Sequence, residues 1–124
     1  MSDINVLDAQ SVLENLDYDL DTFRELVEMY LADYADAGDQ LAEKLAGDDL
    51  KDIKQCAHAL KGIGASIGGL RLADIANRIQ EQCRAGNKPD CAEWAPLVTA
   101  QSAALKNALE LLDWSALELL AAEN

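Results

Sequence analysis

At 124 residues the chain is sized for one domain with a single core. Half of its residues are apolar, chiefly Ala, Leu, Ile and Val with six aromatics and two prolines, a composition that favours helices. The formal net charge of −13 sets nucleic acid and anionic membrane surfaces aside as partners of the molecule as a whole.

In chain order, the opening MSDINVLDAQ has neither the basic nor the apolar stretch of a signal peptide. A short helix is predicted from about Asp8 to Leu16, capped by Asp8. A long helix follows from about Asp19 to Ala46. In it Phe23, Val27, Tyr30, Tyr34, Ala37, Leu41 and Leu45 recur at steps of three and four. Gly38 interrupts that helix at a cost of about 1 kcal/mol and is read as a bend. Gly47 serves as its C-cap, and Asp48 or Asp49 as the next N-cap. A third helix spans about Asp49 to Ile67 and breaks at Gly68 and Gly69. A fourth runs from about Leu70 to Ala85 and stops at AGNKPD. Pro96 suits the first turn of a fifth helix reaching about Leu112, and Asp113 caps a last short one through Ala122.

These elements predict an all-α fold, an antiparallel up-and-down four-helix bundle with short additional N- and C-terminal helices covering its ends. The whole chain, 1–124, reads as a single domain with its bundle core at about 19–112. No apolar run approaches the roughly 18 residues of a membrane span. Cys56, Cys83 and Cys91 are odd in number and match no zinc spacing, so reduced thiols in a cytoplasmic protein are expected and no metal site is assigned.

His58 is the only histidine. On a helix of about 100° per residue, Ile53, Ala57, Leu60, Gly64 and Ile67 form one stripe, the core face, centred roughly 140–160° from His58. The imidazole therefore points to solvent. Lys51, Lys54, Lys61, Gly62 and Ala65 share its side of the helix. Lys54 and Lys61 lie about one turn to either side of the ring, and Gly62 leaves a bare patch beside it. Gly64, on the core face, is expected to let a neighbouring helix pack closely. The segment 51–88 holds seven of the ten basic residues and three acids, so it carries +4 while the remainder carries −17. A basic patch on an acidic protein suits an anion, either a phosphoryl group or an acidic partner surface. Taken singly, an exposed histidine is usually a plain surface residue and a mid-helix glycine usually serves packing. Their joint spacing is what carries the argument.

The stretch HALKGIGASIGGLRL resembles the signature of histidine phosphotransfer (HPt) domains. The matching positions are His58, Leu60, Lys61, Gly62, the small residues Gly64 to Ser66, Gly68 and Leu72, and the preceding helix is similar as well. Over roughly residues 19–112 the resemblance implies that His58 carries a phosphoryl group on Nε2. It implies that Lys61 offsets the phosphoryl charge and that Gln80, on the next helix, faces the imidazole. Receiver docking is expected to use Lys51, Lys54, Gly62 and Ala65. Members phosphorylated directly by a chemotaxis kinase tend to have Glu where Gln80 stands, so Gln80 leans towards the relay type. Ile63 departs from the small residue usual at its position. The implied partners are receiver domains of response regulators or hybrid sensor histidine kinases, and the chain is expected to act as a monomer. No cofactor is expected on this chain, because Mg²⁺ would reside on the receiver.

The chemistry fits these residue types. A neutral imidazole nitrogen attacks a phosphoaspartate readily, and the resulting P–N bond is labile enough to pass the group on. Phosphoryl transfer depends chiefly on positioning and charge stabilisation, which makes the protein a phosphocarrier rather than a free-standing enzyme. The rival reading is a helical binding module that docks a receiver or partner helix without accepting phosphate. The initial Met fits a free-standing chain rather than one cut from a hybrid kinase.

Overall fold

Five aspartates set where helices begin. Asp8, Asp19, Asp49, Asp90 and Asp113 each precede a helix and accept a hydrogen bond from a backbone N–H two or three residues on. Each thereby satisfies a donor that the first helical turn leaves unpaired. The helices are α1 (Ala9–Asn15), α2 (Leu20–Met29), α3 (Ala37–Leu45), α4 (Leu50–Ser66), α5 (Leu70–Arg84), α6 (Cys91–Glu110) and α7 (Trp114–Ala122). A π-helical turn, Tyr30–Tyr34, continues directly from α2. The structure, a computed structural model, describes residues 5–124, and no strand occurs among them.

α2, the π turn and α3 form the first long rod of a four-helix bundle, and α4, α5 and α6 form the others. Paired positions show that neighbours run antiparallel. Across α4 and α5, His58 meets Gln80 and Gly64 adjoins Ala73. Across the first rod and α4, Lys44 pairs with Asp52 while Tyr30 and Tyr34 lie with Ile63 and Ile67. Gly38 abuts Ser102 on α6, and Lys88, just before α6, reaches back to the Leu45 carbonyl. Each rod packs on the next and α6 closes the ring on α3. Phe23, Val27, Leu41, Ile53, Leu60, Leu72, Ile79, Val98 and Leu105 are among the buried residues that fill the centre.

The structure departs from the sequence reading in six places. The long helix expected over Asp19–Ala46 is interrupted by the π turn and by a turn at Ala35 and Asp36, where Asp36 leaves the helical backbone region at φ −92 and ψ 0. Tyr30, Leu41 and Leu45 are buried as expected, but Tyr34 and Ala37 are only half-buried. Gly38 is not the bend. It lies inside regular helix, where a Cβ would come within 2.5 Å of the Ser102 Cβ and Oγ, so its role is close packing of α3 on α6. Gly47 is not a left-handed C-cap, because Ala46 caps α3 and only Gly68 and Gly86 have positive φ among the glycines.

The helix expected to have Pro96 in its first turn, α6, starts five residues before that proline, at Cys91, with Asp90 as its cap. Trp94, one turn inside, joins the core at 8% exposure. Pro96 forfeits a bond to the Ala92 carbonyl, but both residues are exposed, so water can take the place of the missing N–H. Finally, α1 and α7 cover the same end of the bundle rather than both ends. Asp8 N–H donates to the Gly68 carbonyl at 2.8 Å, which ties the start of α1 to the α4–α5 turn. At that end too, Leu105 of α6 meets Gly69, and Trp114 of α7 packs on Phe23 of α2 with ring centroids 5.7 Å apart.

Candidate functional site

Small residues bring α5 close enough to α4 for a side chain to reach across. Gly68 adopts φ +86, in the left-handed region that favours glycine. The Gly69 N–H then donates to the Gly64 carbonyl at 2.8 Å and reverses the chain. At Gly64 a Cβ would lie 3.4 Å from the Gly69 carbonyl and 3.6 Å from the Ala73 Cβ, so the helices touch there with nothing between them. Gly64 thus acts as the packing residue it was expected to be.

Further along this tight pair the chain's one imidazole meets an amide. Gln80 is 4% exposed, and its Nε2 lies 3.0 Å from Nδ1 of the exposed His58. Gln80 is held among α5 residues that face the core, flanked by Ala76, Ile79 and Cys83, so its side chain is fixed by packing. With Nδ1 engaged from α5, His58 Nε2 makes no hydrogen bond to a described residue and is the ring nitrogen left to a partner. The Gln80 Oε1 is buried without a hydrogen bond to a described residue.

The other expected residues fall on the same side to different degrees. Gly62 is exposed, and a Cβ placed there would meet nothing within 4 Å. Lys61, half-buried, and Ala65, exposed, line a shallow open groove between α4 and α5, with Leu70, Ala73, Asp74 and Asn77 opposite. Lys54 is half-buried beside α5, where its charge acts on the Cys83 thiol. Lys51 is exposed at the start of α4, about 10 Å along the helix from His58. The sequence reading did not single out Asn77. Its position three residues before Gln80, one turn away on the same helix, was the available signal.

Charge pairing sharpens the basic character of this face. All three acids of the α4–α5 hairpin are taken: Asp52 by Lys44 at 2.9 Å, Asp74 by Arg78 at 3.0 Å and Glu81 by Arg84 at 2.7 Å. None of the ion pairs among the described residues involves Lys51, Lys54 or Lys61. The cations nearest the imidazole are therefore available to an incoming anion.

The three thiols are free. Burial pushes the Cys56 and Cys83 thiols up from their ordinary range, which keeps them protonated and poorly nucleophilic. Among the described residues no group of three or more His, Cys, Asp or Glu is placed to hold a metal ion, and no helix is long and apolar enough to cross a membrane. The family described as the Hpt domain matches residues 25–114. No curated protein and no solved structure matches the chain.

Proposed function

We propose, for a chain that belongs to the Hpt domain family, that it accepts a phosphoryl group on His58 Nε2 from a receiver-domain aspartate and relays it to another receiver. Hpt domains are phosphocarrier modules that work with receiver domains in phosphorelays rather than free-standing enzymes. The observation that carries the reading to this residue is the Gln80 amide held 3.0 Å from Nδ1 of the only histidine, with the ring otherwise exposed.

That contact allows two proton arrangements, since a half-turn of the amide exchanges its oxygen and nitrogen. Attack on phosphorus needs a lone pair on Nε2, so the ring proton must reside on Nδ1. In the reactive arrangement Gln80 turns Oε1 to the ring and accepts the Nδ1–H bond. Turned that way, the buried amide holds the ring in the Nδ1–H tautomer, as orienting partners of imidazoles do.

In the transfer step the Nε2 lone pair forms the P–N bond while the P–O bond to the aspartate breaks, and the carboxylate leaves. The imidazole keeps its Nδ1 proton and gains positive charge, which strengthens the bond to Oε1. Lys61, three residues on from His58, offsets the negative phosphoryl oxygens. Gly62 and Ala65 leave room for the receiver, and Lys51 and Lys54 attract its acidic pocket. That pocket supplies Mg²⁺, so this chain needs none. Unpaired thiols suit a reducing compartment, and we place the relay in the cytoplasm with the chain as a monomer.

The test is incubation with a phosphorylated receiver and Mg²⁺. Acid-labile, base-stable phosphate on the wild type, absent from His58→Gln, is the expected result. Receiver binding without any label on the wild type would leave only a docking module.

A further inference from the structure

The charges in the groove beside His58 are arranged against their own attraction. Of the residues that line it, Lys61 and Asp74 alone are charged, and they have opposite signs. They do not pair with each other. Asp74 Oδ2 lies 3.0 Å from Arg78 Nε instead, and none of the ion pairs among the described residues involves Lys61. We infer that Arg78 is a positioning residue for phosphotransfer: by holding Asp74 along α5, it keeps that carboxylate off Lys61 and leaves the lysine's charge to the phosphoryl group. The inference rests on the reading of His58 as the phosphoryl acceptor.

The register of the hairpin brings the two charges within reach of each other. His58 opposes Gln80 and Gly64 opposes Ala73, so Lys61 stands between those two levels, with Asn77 and Asp74 on the facing helix. Lys61 is half-buried along the groove, and its ammonium rides on a flexible four-carbon stem that can cross between touching helices. An acid left without a partner there would attract it. The pair so formed would cancel the cation that the transfer step uses. Elsewhere on this side of α5 no such competitor stands, since Asn77 and Gln80 are neutral and Glu81 is held by Arg84 at 2.7 Å. Asp74 is the acid that has to be kept away.

Arg78 suits that restraint. Asp74 and Arg78 lie one turn apart with the acid first, the order in which a helical ion pair is more favourable. Arginine is charged at any working pH and presents its donors in a fork that matches a carboxylate. It is therefore a stronger competitor for Asp74 than a lysine reaching across from another helix. The Arg78 side chain is 61% exposed, so its replacement opens no cavity in the core and the variant can be expected to fold.

The experiment compares the wild type, Arg78→Gln, and Arg78→Gln combined with Asp74→Asn, each shown to be folded by thermal unfolding. One readout is the Lys61 ¹⁵Nζ resonance, which moves when the ammonium gains a carboxylate and needs neither phosphate nor receiver. The other is single-turnover transfer from a phosphorylated receiver with Mg²⁺. In Arg78→Gln the Lys61 signal should move and transfer should slow by about two- to fivefold, the range that an exposed ion pair supplies. In the double variant both should return towards the wild type. A purely structural Arg78 predicts no such rescue, because removing the second member of a lost helical pair does not restore it. A Lys61 signal indifferent to Arg78→Gln, or a slowed rate that Asp74→Asn fails to rescue, overturns the inference while His58 is still labelled normally. A wild type that takes no label at all removes the reading of His58, and the inference falls with it.

Discussion

Replacing Gly62 with Gln separates packing from docking in one variant. Gly62 lies one turn past His58, is exposed, and has nothing within 4 Å of the position a Cβ would take. The folded state therefore bears no steric cost. Removing a glycine from a helix interior gains about 0.5–1 kcal/mol of helix propensity. In a domain of this size that raises the unfolding midpoint by about 2–5 °C. Transfer should move the other way. The new side chain stands where a receiver must seat for in-line attack, and misplacing reacting groups by about 1 Å can cost 10²-fold. Single-turnover transfer from a phosphorylated receiver should fall tenfold or more. Gly62→Ala, with nearly the same propensity gain and only one methyl, should keep most of the rate. Thermal unfolding by circular dichroism and rapid-quench transfer give the two readouts. A destabilised Gly62→Gln would make Gly62 a packing residue, and a stabilised variant with undiminished transfer would place the receiver elsewhere.

Lys61→Ala should slow transfer more than it weakens receiver binding, and added salt should slow the wild type, since exposed charges are screened over about 10 Å at 0.1 M; equal single-turnover rates for the variant and wild type would remove Lys61 from the chemistry. Gly38→Ala should lower the unfolding midpoint, because crowding Ser102 costs about 1–3 kcal/mol against about 1 kcal/mol of propensity gained. Adding Ser102→Gly should recover part of that loss in a double-mutant cycle, and additive effects would contradict the contact. Hydrogen bonds from the Thr22 side chain and backbone hold the Asp19 carboxyl below its usual range. Its stabilising contribution is thus complete above the unfolded carboxylate pKa and lost as pH falls through the lower folded value. Asp19→Asn, which keeps an acceptor at the cap, should show a shallower loss of stability over that acid range; an unchanged acid limb in thermal unfolding would count against it.

The sequence displayed the residues of the candidate site better than the scaffold around them. His58, Lys61, Gly62 and Ala65 are legible because one helix with one apolar stripe fixes the direction of every side chain on it. Gln80 was found through family spacing, and nothing in its own composition reveals that it is buried against the ring at 3.0 Å. The caps at Asp8 and Asp113 were readable because each aspartate precedes an apolar periodic run. Asp90 was passed over because Pro96 competes with it as a start signal, although a proline is tolerated further in where the freed carbonyl faces water. The π turn left no mark, since steps of three and four continue through Tyr30, Tyr34 and Ala37 while the backbone changes its bonding. The hollow beside Ile63 joins residues of the first rod and of α4 that lie far apart in sequence, and local periodicity carries no information about it.

The central claim is tested most directly by long-range ¹H–¹⁵N correlation of the imidazole, because the chain has one histidine and therefore one pair of ring nitrogens. Before phosphorylation the account predicts a proton on Nδ1, held by Gln80, and a lone pair on Nε2. After incubation with a phosphorylated receiver and Mg²⁺, Nε2 should couple to ³¹P while Nδ1 keeps its proton. A ring that stays unchanged while the chain gains label, or phosphorus found on Nδ1, would contradict it.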